Sequence, residues 1–341
     1  MSENTGIHRL PVENERTRVH SLSHLLPAPR LLDAHEAFIV AYDRLSGLSR
    51  IARAPAVLVA AVDARAHVVA AVIVEAGQSL VIGRHTHCGI RLEKDTIALR
   101  HLVAHASAGA PEAAPATRLW ELNTGQPFLT EDGQPNAAVI AQGPLYAAVD
   151  QYALLFVPTQ GPSGPPWPTS AEEAWKALPP REFIDRRTPR QPPHAPGLQV
   201  RRPDGQAYET NISSVRQQYD RSSISRVSPL WLLGDEDSGD AFAELVLQHG
   251  REVATHRISI ARLEQGVLLG LYERCGVPLP KLYGLSRVHL LLVQEGDEVL
   301  AIDTASTNGT WRGPKEIRTS TLRNPDSLVL AGSMSVHWRR L

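Results

Sequence analysis

The chain has 341 residues, 43% of them hydrophobic, and a formal net charge of -1. That length supports about two domains of ~100–200 residues each, with enough apolar content for real cores, and the near-neutral balance excludes a broadly basic surface for nucleic acid. Met1 to Thr5 lack the basic and apolar regions of a secretory signal, no apolar run approaches the ~18–20 residues a membrane helix needs, and two cysteines, Cys88 and Cys275, are too few for a disulfide framework. The expectation is a cytoplasmic protein with no membrane partner. Only four of its 35 basic residues are Lys, a skew that fits a high-GC bacterial genome.

Residues 1–54 read as an N-terminal extension, polar and rich in His and Arg up to residue 30. From Leu31 to Leu48, the residues Leu32, Ala34, Phe38, Ala41, Tyr42 and Leu45 fall near one helical face; the stretch fits equally a first strand of the β segment after it. From residue 55 to 157 the pattern is β. The Val-rich runs Val57–Val62 and Val68–Val74 are split by a hairpin-like break at Asp63-Ala64-Arg65, and further strand patterns run at Ala137–Ile140, Tyr146–Val149 and Tyr152–Val157. Between Pro158 and Pro203 lie 12 of the 26 prolines, a density that precludes a continuous helix or a central strand, so residues 158–239 read as a Pro/Arg-rich linker. Ser170-Ala171-Glu172-Glu173 interrupts it with a capping-box pattern that opens a short helix near 170–178.

The last segment, 240–341, is again β. Leu290–Val293 and Val299–Ile302 read as strands, and Ser306-Thr307-Asn308-Gly309-Thr310 as a tight turn, because Asn and Gly reach positive φ cheaply. It repeats the earlier segment. Leu80-Val81-Ile82-Gly83-Arg84 through Cys88-Gly89-Ile90 and Leu92 matches Val267-Leu268-Leu269-Gly270-Leu271 through Cys275-Gly276-Val277 and Leu279 at identical spacing. Ala98-Leu99-Arg100-His101 then stands in the place of Ser286-Arg287-Val288-His289, and Glu121–Gly125 in that of Asp303–Gly309.

Ser286-x-x-His289 followed by Asn308-Gly309 resembles the forkhead-associated (FHA) family, β-sandwiches that read phosphothreonine peptides. The resemblance implies an all-β chain of two FHA-type sandwiches, the N-terminal copy degenerate. It implies a phosphopeptide site at Ser286, Arg287, Thr307 and Asn308, with Asn308 gripping the peptide backbone. His289, Gly309 and Gly270 belong to the structural motif, as do Gly83, Arg84 and His101 in the first copy. The family's phosphate-holding Arg after the early Gly is absent, since the chain reads Gly270-Leu271; Arg274, in the same loop, is the candidate to restore that charge. The first copy keeps Arg84 and Arg100 but has Ala98 and Thr124 where phosphate contacts are expected, which favours a surface that does not bind phosphate.

Competing patterns are weaker. His85, Cys88, His101 and His105 have near zinc-finger spacing, but fingers place the late His pair on a helix and these lie in a β pattern. Ser286, His289 and Asp303 lack the strand–Ser–helix elbow of a nucleophile. No metal, cofactor or catalytic residue is therefore expected, and the protein is read as a non-enzymatic adaptor for a phosphorylated protein or a Ser/Thr-kinase pathway component. A phospho-independent scaffold is the alternative, and homo-oligomerisation stays open. Thr188, in Arg186-Arg187-Thr188-Pro189-Arg190, is a candidate kinase site whose phospho-form is a candidate ligand of the second module.

Overall fold

The computed structural model describes residues 30–108, 113–187, 222–235, 239–282 and 284–341, so Thr188 lies outside the described residues. The fold is all-β: two sandwiches, each of two mostly antiparallel sheets. In the first, one sheet runs in the order Val68–Glu75, Ala56–Asp63, Tyr152–Thr159, Leu145–Val149, Phe128–Thr130, Pro135–Asn136. The other runs Arg181–Asp185, Ser222–Arg226, Ala138–Gln142, Thr117–Glu121, Leu102–Ala106, Ser79–Gly83, Ile90–Arg91. Two stretches of the expected linker are thus strands. Neither contains Pro, and the first sits at the sheet edge, where the flanking prolines cost no ladder bond.

Helix α1 (Ala34–Ile51) resolves the ambiguous N-terminal stretch in favour of a helix. Asp33 and Glu36 form its capping box, with the Glu36 N–H donating to Asp33 Oδ1 at 2.8 Å and the Asp33 N–H to Glu36 Oε2 at 3.1 Å. Phe38, Ala41 and Leu45 lay its apolar face on Leu58, Ala60 and Val62. The alternate residues Val57, Val59 and Ala61 face the sandwich core. A strand covered on both faces needs no polar side, which is why Val57–Val62 reads as an unbroken apolar run. Helix α2 (Ala171–Ala177), capped by Ser170, packs Ala174 and Trp175 against the same group.

The second sandwich pairs a six-stranded sheet (Glu252–Ser259, Ala241–His249, Met334–Arg340, Asp326–Leu330, Thr310–Arg312, Lys315–Ile317) with a five-stranded one (Val277–Pro278, Val267–Gly270, Leu290–Glu295, Glu298–Asp303, Thr319–Thr321). Leu290 and Leu292 point into its core, and Leu291 and Val293 point out. The outward pair does not meet water. It joins Leu268, Leu300 and Ile302 in a third apolar layer, against Val81, Val103, Trp120 and Ala138 of the first sandwich, with Cys88 and Cys275 buried in the same layer. The two sandwiches therefore share a dry seam between their facing sheets. Polar bonds frame it: Arg118 donates to Gln294 O (2.7 Å) and Glu264 O (3.0 Å), and buried His105 spans Ser79 Oγ (2.9 Å) and Glu295 (3.1 Å). Among the described residues no helix is long and apolar enough to cross a membrane.

Candidate functional site

The site is built on three loops at one end of the second sandwich: Leu271–Gly276, Gly284–His289 and Thr304–Gly309. His289 is fully buried beneath them. Its Nδ1 accepts from the Ser286 N–H (3.1 Å), which leaves Nε2 as the protonated nitrogen, donating to Gly309 O at 3.2 Å. One ring thereby ties two loops together. Burial lowers its pKa, so the neutral, bridging form is favoured. Asp303 shapes the third loop, accepting from the Ser306 N–H (2.8 Å), Ser306 Oγ (2.6 Å) and Thr310 Oγ1 (2.6 Å), the local side-chain-to-backbone bonding that Asp favours at turns.

On this base Ser286 Oγ accepts from the Thr307 N–H at 3.0 Å, and Asn308 Nδ2 donates to Gly284 O at 2.9 Å. Thr307, Asn308 and Arg287 are exposed at the rim, whereas Ser286 is buried. The structure therefore brings together four of the five residues expected to bind phosphopeptide.

Arg274 is the exception. The expectation that it restores charge beside Ser286 is corrected: its Nη1 donates to Thr124 O at 3.0 Å and its carbonyl accepts from Asn123 Nδ2 at 2.9 Å, both on the first sandwich. The matching bond runs the other way. His87, four residues after Gly83 as Arg274 is four after Gly270, donates from Nδ1 to Ser306 O at 3.1 Å. The loops of each sandwich thus reach across the seam to the other.

A cation does reach Ser286, from a residue that sequence reasoning assigned elsewhere. Arg100 of the first sandwich donates from Nε to Ala305 O (2.9 Å) and from Nη2 to Thr307 Oγ1 (3.2 Å) and Ser286 Oγ (3.4 Å). Burial lowers its pKa and the Arg287 guanidinium adds to that, while Asp303 acts in the opposite sense.

Gly83 and Gly270 have a steric reason. A Cβ on Gly270 would lie 2.1 Å from Arg287 O, and one on Gly83 2.6 Å from Leu99 O. The strand passes that close because the next two amides bond the loop: Leu271 and Tyr272 N–H to Ser286 and Arg287 O, and Arg84 and His85 N–H to Ala98 and Leu99 O. Gly270→Ala should accordingly destabilise by about 3 kcal/mol, the upper part of the overpacking range; a urea midpoint equal to the parent's would show that the loop yields freely.

No protein-family model matches the chain, and no curated protein sequence is similar to it. Solved FHA domains are. One from a study of phosphothreonine-dependent FHA interactions is 26% identical, covering 29% of this chain and 95% of its own at a TM-score of 0.25. The FhaA FHA domain, solved with the intracellular domain of Rv3910, is 26% identical over 28% of this chain and 99% of its own, TM-score 0.25. The yeast Dun1 FHA domain, solved with a doubly phosphorylated peptide derived from Rad53, is 19% identical over 31% of this chain and 78% of its own, TM-score 0.26.

In the first sandwich Arg84 lies along its own loop, donating to Ile97 O (3.2 Å) and Asp95 Oδ1 (3.4 Å). His101 Nε2 donates to Gln126 O at 2.9 Å, but its Nδ1 has no partner, where His289 holds the Ser286 amide. Glu121 takes the role of Asp303 by accepting from the Thr124 amide and hydroxyl; burial raises its pKa against those bonds.

Proposed function

We propose that the chain is a non-enzymatic adaptor of FHA type, whose C-terminal sandwich binds a phosphothreonine-containing protein and whose N-terminal sandwich is a degenerate copy docked against it. The observation that carries this reading is the His289-braced convergence of Ser286, Thr307 and Asn308 at one rim beside exposed Arg287. A phosphothreonine brings about -1.5 to -2 charges and three acceptor oxygens. Its recognition takes converging hydroxyl, amide and guanidinium donors, which these residues supply. The degenerate-copy reading is supported by the backbone bonds both sandwiches share around Gly83 and Gly270, and by the loss of Ser, Asn and the His-held amide in the first.

One observation favours a phospho-independent scaffold: Ser286 is 4% exposed, with the Arg100 guanidinium already against it. A degenerate phosphothreonine peptide library passed over the full chain, with the unphosphorylated library beside it, decides between the two. Phospho-dependent retention should fall about 10- to 100-fold in Ser286→Ala, the loss of one charge-assisted bond. Equal retention of both libraries by the parent would leave the scaffold reading.

A further inference from the structure

We infer that Arg100 of the N-terminal sandwich is the phosphate-holding cation of the C-terminal site, so that the phosphothreonine pocket is shared between the two modules. This rests on the phosphothreonine reading of the second sandwich and specifies what completes it.

Directly after Gly270, where the resemblance expects the phosphate-holding Arg, the second sandwich carries no cation. Leu271 follows Gly270 and packs, half-buried, against the core, and Arg274 is turned onto the first sandwich. Arg100 fills the gap from the other side of the seam. It stands two residues before Leu102–Ala106, and the next amide, His101, donates to Ile82 O at 3.0 Å, so its base is anchored at the end of a sheet strand. The apolar layer fixes that sheet against the second sandwich. Its Nη2 lies within hydrogen-bond distance of the two hydroxyls, Ser286 and Thr307, that face the proposed phosphate.

The charge arrangement points to an anion. Arg100 is 7% exposed, and a cation buried to that degree is ordinarily paired. Among the described residues no carboxylate oxygen lies within the 4.0 Å of an ion pair, and its Nη1 makes no bond to protein. Of the charged groups near it, the Asp303 carboxylate is taken up by bonds from Ser306 and Thr310, and the exposed one is a second cation, Arg287, whose side chain makes no hydrogen bond or ion pair among the described residues. The Arg100 guanidinium against two hydroxyls, with exposed Arg287 in the same loop as Ser286, suits a doubly charged, multi-acceptor phosphate, which planar guanidinium forks bind well.

Arg100→Gln tests this in the full chain. The amide still offers N–H donors to the second sandwich's loops but carries no charge. Retention of the phosphothreonine library should fall about 10- to 100-fold with a melting temperature near the parent's, while Arg100→Lys, which keeps the charge, should bind more tightly than Arg100→Gln. Parental affinity in Arg100→Gln, with Ser286→Ala still deficient, would overturn the shared pocket and leave the phosphothreonine reading intact. Tighter binding would also overturn it, marking Arg100 as a plug. A parent with no phospho-dependent retention would sink both. If Arg100→Gln unfolds, the decision passes to the parent labelled with 15N-arginine. The Nε–H signal that Arg100→Lys removes should move on titration with the phosphothreonine library, and a signal that stays still while the Ser286 amide moves would exclude the guanidinium.

Discussion

Leu291→Asp should cost the chain about 5 kcal/mol, a large part of the ~5–15 kcal/mol that holds a typical domain folded. Leu291 has no exposed surface and points away from its own sandwich core into the seam. Truncating such a Leu to Ala already costs about 2–5 kcal/mol, and Asp adds a carboxylate among apolar side chains. The comparison that isolates the seam is Val253→Asp on the strand Glu252–Ser259, where the side chain is 60% exposed and the change should stay within about 0.5 kcal/mol. Urea denaturation of both variants gives the difference directly. Equal midpoints would mean the facing sheets contribute little and the sandwiches are held by the chain alone. A large drop confined to Leu291→Asp would show that docking is part of the fold, which any site completed by Arg100 requires.

How much of the fold and the site was legible can be judged residue by residue. The strands around Leu290–Val293 and Val57–Val62 were readable because unbroken β-branched and Leu runs between turn residues have few other uses. What covers their second faces was not readable. Periodicity says a strand is buried on both sides, not whether α1 or another sandwich does the burying. The glycine spacing was readable for the same reason it exists: Gly83 and Gly270 sit where a loop carbonyl leaves no room for a Cβ. Arg100 was visible as charge, but its target lies 186 residues away in the chain, and nothing local to Ala98–His101 indicates that its side chain leaves its own sandwich. Arg274 failed in the opposite direction, since membership of a loop fixes a residue's backbone and leaves open which module its guanidinium meets. Proline density misled at Arg181–Asp185 because composition averages over a window, whereas a five-residue edge strand needs only its own residues to be free of Pro; Ser222–Arg226, beyond the Pro-dense stretch, is a short interior strand whose partners Arg181–Asp185 and Ala138–Gln142 are distant in the chain.

His289→Ala should be nearly as damaging, and its pH dependence identifies the cause. Removing the ring leaves the Ser286 N–H and Gly309 O without partners in a buried site, at about 1–3 kcal/mol per orphaned group, and opens a cavity besides. Because burial depresses its folded pKa below the ~6.5 of an unfolded chain, the unfolded state takes up a proton that the folded state refuses. The stabilising share is present in full above about pH 6.5 and is lost as pH falls from there toward the folded pKa. His101 is shifted the same way and Glu121 the opposite way, but both persist in the variant and cancel in the difference. Unfolding free energies at pH 7.5 and 5.5 should therefore converge between parent and His289→Ala on acidification. A constant gap would mean that His289 titrates normally in the fold and that the Ser286 loop does not depend on a neutral ring. Convergence together with loss of phosphothreonine retention in His289→Ala at pH 7.5 would tie the buried bridge to the exposed rim, since the variant removes no group that touches the ligand.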